Sequence, residues 1–250
     1  MNNQEILNIA LQQSAIDLNC CPEAFFCGNP QIVRSRANKE ARRYLKLPFD
    51  CNLVYYGGNI VASVSEAAEP VVREYVQQYE PYRCYETPEI HELGAKLKPL
   101  GLRTRHMAEY FLPDVNVLKE LPCAYTVKIL SQADFTDLYR PEWSNALCAD
   151  RKNLDVIGAA AFDGRQLVGL AGASADCETM WQIGIDVLPQ YRRQGVAASL
   201  TSRLGIEILH RNKVPFYCAA WSNVPSVRNA IRSGFRPAWV ELTAKPVTEN

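Results

Sequence analysis

The chain has 250 residues, enough for one large domain or two small ones, and 48% of them are hydrophobic, so it can bury a sizeable core. Its 27 lysine and arginine residues balance its 27 aspartate and glutamate residues, which argues against a general nucleic-acid-binding protein or a protein that binds anionic membranes. The nine cysteines form no CxxC pair, the N-terminal sequence lacks the features of a signal peptide, and no apolar stretch reaches the ~20 residues that span a bilayer. We therefore expect a cytoplasmic protein with reduced thiols, no metal, and no nucleic-acid or membrane partner, whose oligomeric state the sequence does not indicate.

The first part of the chain, residues 1–122, alternates helix and strand patterns. The predicted elements are a helix at Gln4–Leu18, strands at Leu53–Tyr56 and Ile60–Val64, a helix at Glu69–Tyr79, a strand at Tyr82–Tyr85, a helix at Pro88–Leu100 and a strand at His106–Leu112. Prolines at 113 and 122 predict a boundary near Pro122. The order of elements from Asn52 onward parallels the end of the chain. Two interpretations stay open for this region: a degenerate copy of the fold that follows, or an unrelated α/β lid domain.

The second part, residues 123–250, is predicted to form one mixed α/β (α+β) sheet. Strands are expected at Tyr125–Leu130, Val156–Phe162, Gln166–Ala173, Trp181–Val187, Val214–Trp221 and Phe235–Ala244, and helices at Gly195–Arg211 and Pro225–Arg232. Further helical segments are expected after Ser131, through Leu138 and toward Asn145–Cys148. Asp163-Gly164 is a hairpin turn signal between two of the strands. The two helices follow the strands at Trp181–Val187 and Val214–Trp221, which favours crossover connections within the sheet.

The most informative stretch is the connection from Val187 to Ala197. A strand stops at a proline, and a basic loop that contains Gly195 turns directly into a helix. The unpaired N–H groups at a helix start, together with the helix dipole, make an anion site, and glycine lets a ligand approach the backbone closely. Arg192 and Arg193 add positive charge, so a pyrophosphate is the expected ligand. An ordinary strand-to-helix connection remains the alternative, whereas the single glycine and the absence of Gly-Lys-Ser/Thr exclude the Rossmann and Walker patterns.

The segment Arg192-x-x-Gly195-x-Ala197 resembles the R/Q-x-x-G-x-G/A signature of the GCN5-related N-acetyltransferases (GNAT). The preceding Val187-x-Pro189-x-Tyr191 is similar to the usual lead-in of that family, and Asn223-x-x-Ser226 with Gly234-Phe235 is similar to its second coenzyme-binding segment. The order of elements over residues 125–244, about half of the chain, agrees with the family fold. The whole chain also resembles uncharacterised bacterial members that carry an extra N-terminal region.

The resemblance implies an N-acetyltransferase that uses acetyl-CoA as cosubstrate and a primary amine as acceptor. It implies that main-chain groups of Ile185 and Val187 pair with the pantetheine arm and the acetyl carbonyl, and that Asn223 contacts the pantetheine. The residues implied to bind the coenzyme are Ile185, Asp186, Val187, Arg192, Arg193, Gln194, Gly195, Val196, Ala197, Asn223, Ser226 and Arg232.

The catalytic groups are less well defined by the sequence. Asp186 and Glu142 are the two candidates for the general base, although either could be a solvated or structural carboxylate. The family often has a tyrosine where this chain has Ala230, so another group or water must protonate the coenzyme thiolate, or catalysis is impaired. Tyr217 and Cys218 are the nearest protic side chains, and strand alternation sends them to opposite faces. The alternative function is therefore a catalytically impaired acyl-CoA-binding regulatory or scaffold protein.

Overall fold

The computed structural model describes residues 1–248, apart from the side chain of His106, and the chain forms two compact units. The C-terminal unit contains residues 1–9 and 111–237, and the N-terminal unit contains residues 10–110 and the chain from residue 238 onward. A boundary near Pro122 between independently folding domains stays a prediction.

Five helices and ten strands make up the described chain, residues 1–248, besides short 3-10 turns. In chain order they are α1 (Asn3–Leu18), β1 (Gln31–Arg34), β2 (Cys51–Tyr55), β3 (Ile60–Val64), α2 (Glu69–Gln78), α3 (Thr87–Leu97), β4 (Leu102–Pro113), β5 (Thr126–Ser131), β6 (Asp155–Asp163), β7 (Gln166–Ser174), β8 (Met180–Val187), α4 (Val196–His210), β9 (Val214–Ala220), α5 (Val224–Arg232) and β10 (Phe235–Pro246). Among residues 1–248, every helix is too short or too polar to cross a bilayer.

The sheet of the N-terminal unit has the order β1-β3-β2-β10-β4. β1 runs parallel to β3, whereas β2 is antiparallel to both β3 and β10. Alternate residues of β2, β3 and β10 face α2 and α3, and the resulting core contains Leu53, Ala62, Leu242, Tyr75 and Leu93, among others. β2 and β3 are short and almost continuously buried, and such short, largely apolar runs can be recognised as strands in the sequence.

The predicted strand at Tyr82–Tyr85 is wrong, because residues Arg83–Tyr85 form a 3-10 turn. Cys84 is fully buried in this turn, and its carbonyl accepts a hydrogen bond from the hydroxyl of Tyr75 at 2.8 Å. The carbonyl group of the turn is therefore hydrogen-bonded by a side chain of α2 rather than by a neighbouring strand.

Arg42 forms a buried ionic group inside the N-terminal unit, where its side chain is 2% exposed. Its Nε donates to Asp17, and its Nη2 donates to Glu241 Oε1 at 3.1 Å. The guanidinium carbon lies 5.5–5.7 Å from the centroids of three aromatic rings, those of Tyr44, Tyr110 and Trp239. Burial alone would lower the pKa of Arg42, but the negative charges of Asp17 and Glu241 help to raise it well above its usual value.

The sheet of the C-terminal unit has the order β9-β8-β7-β6-β5. β5, β6, β7 and β8 form an antiparallel meander, and β9 runs parallel to β8 after the crossover through α4. The mixed sheet and the two crossover helices confirm the predicted fold class.

Two cores lie on opposite faces of this sheet. α4 covers one face, where Leu200, Leu204 and Ile208 pack against side chains such as Ile183 and Tyr217. The other face carries a smaller core that consists of Phe135, Trp143, Ala146, Leu147, Ala160 and Leu170.

The helical segments predicted between Ser131 and Cys148 are two short 3-10 turns, Gln132–Phe135 and Pro141–Trp143, and residues 145–148 form no helix. A third 3-10 turn, Ala149–Leu154, follows Cys148. The capping pair of Ser131 and Asp134 is present, but Pro141 lacks the N–H that a continuing helix needs.

Candidate active site

The candidate site lies in the C-terminal unit, where β8 and β9 separate. The described pairing between these strands covers Met180–Gln182 and Val214–Phe216, whereas β8 continues to Val187 and β9 to Ala220. The adjacent edges of the two strands therefore diverge into an opening beyond Gln182.

Main-chain groups of β8 are directed into this opening. On its other edge β8 pairs with β7 as far as Val187, and Leu188 donates its N–H to Val168 O at 3.0 Å. Hydrogen-bonded residues alternate along an antiparallel ladder, so the N–H and C=O groups of Ile185 and Val187 point away from β7. These are the two residues whose main-chain groups the sequence resemblance assigns to the coenzyme.

The loop between β8 and α4 has the geometry of an anion site. Gly195 is the N-cap of α4 with φ +82°, and Arg193 also has a positive φ of 63°. The first turn of α4 contains no acidic residue, and its N–H groups begin without partners within the helix. Positive φ values at alternate residues turn successive N–H groups toward a shared concavity, as in anion-binding nests.

Side chains of the loop fix its shape from both ends. Arg192 Nε donates to the carbonyl of Val187 at 3.0 Å, which ties the loop to the end of β8. The hydroxyl of Tyr191 lies 3.1 Å from the carboxylate of Asp163 in the β6–β7 turn. Gln194 Nε2 donates to the carbonyl of Gln190 at 3.1 Å.

Arg232, from the end of α5, brings its guanidinium to the same loop. A Cβ atom built on Gly195 would lie 3.8 Å from Arg232 Nη2, with no other neighbour within 4 Å. The side chain of Arg232 is exposed, as are those of Arg192 and Arg193. Arg232 and the helix N-terminus therefore concentrate positive charge at Gly195, and Arg192 and Arg193 belong to the same loop.

Asn223 and Ser226 begin α5 beside the same opening. The side-chain oxygen of Asn223 accepts the N–H of Ser226 at 3.3 Å and so caps the helix. The hydroxyls of Ser226 and Tyr217 lie 2.7 Å apart. Burial raises the pKa of Tyr217, and the hydrogen bond with Ser226 opposes that effect only in part.

Tyr217 and Cys218 lie on opposite faces of β9, as predicted. Tyr217 belongs to the core beneath α4, whereas Cys218 Sγ accepts a hydrogen bond from Gln182 Nε2 at 3.0 Å. Ala230 is fully buried in the same core as Tyr217, so the position at which the family often has a tyrosine faces protein.

The two candidate bases have different surroundings. Asp186 Oδ2 accepts the main-chain N–H groups of Asn145 and Ala146 at 2.8 and 3.0 Å, and Oδ1 accepts Asn145 Nδ2 at 2.7 Å. Glu142 lies in the 3-10 turn Pro141–Trp143 with its side chain exposed. Glu142 is exposed, whereas Asp186 is half-buried and both of its carboxylate oxygens accept hydrogen bonds.

Sequence reasoning missed the close approach of residues 145 and 146 to the sheet. A Cβ atom on Gly184 would lie 1.8 Å from the carbonyl oxygen of Asn145, and one on Gly172 would lie 2.1 Å from that of Ala146. A glycine inside a strand is a signal of such an approach, and both glycines are visible in the sequence.

Comparison with known proteins identifies the family of the chain. A model of the GNAT acetyltransferase family matches residues 54–238, well over half of the chain. The chain therefore belongs to the GNAT acetyltransferase family. The match extends from β2 to the middle of β10 and so includes about half of the N-terminal unit.

Solved structures with a similar fold include a GCN5-related N-acetyltransferase from Kribbella flavida, at 15% identity and a TM-score of 0.49, covering 74% of this chain and 80% of that one. A GCN5-related N-acetyltransferase-like protein from Streptococcus suis matches at 19% identity and a TM-score of 0.45, covering 62% and 67%. The aminoglycoside N-acetyltransferase AAC(6')-Iy in complex with CoA matches at 18% identity and a TM-score of 0.36, covering 47% and 93%.

The chain spans 57–67% of the length of the first structures that it matches. No curated protein matches the chain significantly.

Proposed function

We propose that this protein binds acetyl-CoA in the opening between β8 and β9 and transfers the acetyl group to a primary amine. The observation that carries the proposal is the combination of two features at one edge of the sheet. The main-chain groups of Ile185 and Val187 open toward β9, and the basic N-terminus of α4 begins eight residues beyond Val187 at Gly195.

The binding part of the proposal assigns the pyrophosphate to the N–H groups across Arg193–Ala197, including those of Gln194 and Val196. Arg192 and Arg232 supply charge beside it. The pantetheine arm then runs along β8 past Val187 and Ile185, with Asn223 and Ser226 on the opposite side. Fixed N–H donors suit this role because they need no reorganisation when the anion binds.

The reaction forms a C–N bond and breaks the C–S bond of the thioester. The amine nitrogen attacks the acetyl carbonyl, and a main-chain N–H of β8 stabilises the oxyanion. The sulfur leaves with the electron pair of the C–S bond. One proton is lost from the attacking nitrogen and one is gained by the coenzyme sulfur, so the overall reaction is balanced without an oxidant or a metal ion.

Release of free thiol from acetyl-CoA tests this function directly. A suitable amine panel contains spermidine, glucosamine, a tripeptide with an internal lysine, and a tripeptide with a free N-terminal alanine. We expect enzyme-dependent thiol release with at least one class of amine.

Glu142→Gln is expected to lower kcat/KM by about 10²-fold, because it removes a carboxylate that can accept the amine proton. Coenzyme A binding should not change, since Glu142 lies outside the loop before α4. The matched control is Asp137→Asn, which neutralises another exposed carboxylate in the same connection. Equal activity of the Glu142 variant and the wild-type protein would remove Glu142 from the mechanism.

A second candidate function, an acyl-CoA-binding module without catalysis, is favoured by one observation. Ala230 is fully buried where the family often has a tyrosine. Saturable coenzyme A binding without thiol release for any amine in the panel would support this alternative over the enzyme.

A further inference from the structure

We propose that Asp186 is a positioning residue that fixes the wall of the acceptor pocket, and that it is not the general base. The wall is the segment Trp143–Leu147, called here the anchored segment. The proposal rests on the proposed function, because it assigns a role in acceptor binding to a segment on the far side of β8 from α4.

Both oxygens of the Asp186 carboxylate are engaged by the anchored segment. Two main-chain N–H groups, those of Asn145 and Ala146, donate to Oδ2, and the side-chain amide of Asn145 donates to Oδ1. All three distances are between 2.7 and 3.0 Å, within the range of well-formed N–H···O hydrogen bonds. Taking a proton from a substrate amine would weaken these contacts, so the carboxylate is better suited to hold the segment than to act as a base.

The sheet beneath the anchored segment is shaped to receive it. Gly172 on β7 and Gly184 on β8 are opposite each other in the ladder. Their missing side chains leave room for the carbonyl groups of Ala146 and Asn145, which a Cβ atom would meet at 2.1 and 1.8 Å. A glycine pair directly under a pair of carbonyls is what close backbone packing requires.

Apolar contacts hold the same segment at its two ends. Trp143 is 4% exposed and Leu147 is 3% exposed, and both pack in the small core with Phe135 and Leu170. Hydrogen bonds in the middle and apolar side chains at the ends therefore define one position for the segment.

The position of Asp186 in the chain gives this anchoring a functional consequence. Asp186 lies between Ile185 and Val187, whose main-chain groups face the opening. The side chain of Asp186 points to the face of the sheet that is opposite α4. Gln182 and Cys218 meet on that face where the strands begin to separate. The anchored segment therefore lies beside the point at which an acceptor amine must approach the acetyl group, and away from the loop at Gly195.

Two substitutions of Asp186 separate positioning from base catalysis. Asp186→Asn keeps an oxygen for the two main-chain N–H groups, and rotation of the Asn145 amide can supply an oxygen to the new NH2 group. Asp186→Ala removes all three hydrogen bonds. Both changes remove the basic carboxylate, so a general base would be lost equally in the two variants.

The experiment compares initial rates with the four panel amines and hydrogen exchange at residues 143–148. For positioning we expect Asp186→Asn to stay within about fivefold of wild-type kcat/KM, below the usual effect of a lost base. Asp186→Ala should raise the KM for the amine at least tenfold and leave coenzyme A binding within about twofold. The amides of Asn145 and Ala146 should exchange at least tenfold faster in Asp186→Ala and at nearly wild-type rates in Asp186→Asn.

A loss of a hundredfold or more in kcat with Asp186→Asn, with unchanged hydrogen exchange, would overturn the proposal and make Asp186 a base. Unchanged exchange in Asp186→Ala would also overturn it, because the segment would then be held without the carboxylate. If Asp186→Ala does not fold, Asp186→Ser replaces it in the comparison, because serine also lacks the carboxylate and its shorter side chain cannot make the three hydrogen bonds. Failure of the wild-type protein to bind coenzyme A would instead count against the proposed function, and the exchange rates still decide whether Asp186 anchors the segment.

Discussion

Gly195→Glu is expected to weaken coenzyme A binding at least about 100-fold, equivalent to about 2.8 kcal/mol, while the protein stays folded. The substitution places a carboxylate at the N-terminus of α4, beside Arg232, and this carboxylate would occupy the positive site that the pyrophosphate needs. Isothermal titration with coenzyme A measures the effect, and the unfolding transition reports on the fold.

The backbone of Gly195 requires a control for conformational strain. Gly195 has φ +82°, a conformation that costs a residue with a side chain ~1–2 kcal/mol. Gly101 in the N-terminal unit has φ +69° and also has open space where a Cβ atom would be. Gly101→Glu should therefore lose similar stability and bind coenzyme A normally. Normal binding by Gly195→Glu would show that the loop does not hold the pyrophosphate.

Arg42→Met is expected to lower the free energy of unfolding of the N-terminal unit by about 3–5 kcal/mol. Methionine preserves much of the volume of the side chain but leaves Asp17 and Glu241 buried without their cation. Those two carboxylates are 1% and 3% exposed, so water cannot replace the arginine without rearrangement. Urea-induced unfolding measures the change.

The control for Arg42 is an arginine whose ion pair is exposed. Arg73 pairs with Glu69 at 2.9 Å, but its side chain is 45% exposed. Arg73→Met should change the free energy of unfolding by less than about 1 kcal/mol. Equal, small effects of the two substitutions would mean that the buried group contributes no more than a surface pair.

The sequence predicts the C-terminal sheet well because its signals are local. The apolar strands of the meander, the Asp163-Gly164 turn and the glycine before α4 each act within a few residues of the chain. The segment from Ser131 to Cys148 is predicted less well, because its buried side chains are placed by the face of the sheet that they cover. The buried side chains of this segment therefore recur with neither the helical nor the strand period.

The contacts of Asp186 and Arg42 could not be predicted from local patterns. Asp186 contacts residues 40 and 41 positions earlier in the chain, and Arg42 contacts Glu241, 199 positions later. The division of the chain into two units could not be predicted from local patterns either. The chain returns to the N-terminal unit at Ala238, in the middle of β10. The glycines at 172 and 184 gave a local signal that another segment packs closely on the sheet there.

The binding of coenzyme A tests the central claim most directly. Titration of the wild-type protein should show saturable binding at one site per chain, since the basic glycine loop occurs once, and millimolar coenzyme A should raise the melting temperature by mass action. An absence of binding at millimolar coenzyme A, with no change in the melting temperature, would contradict the proposed site between β8 and β9. Two equal sites per chain would contradict the assignment of that site to the C-terminal unit alone.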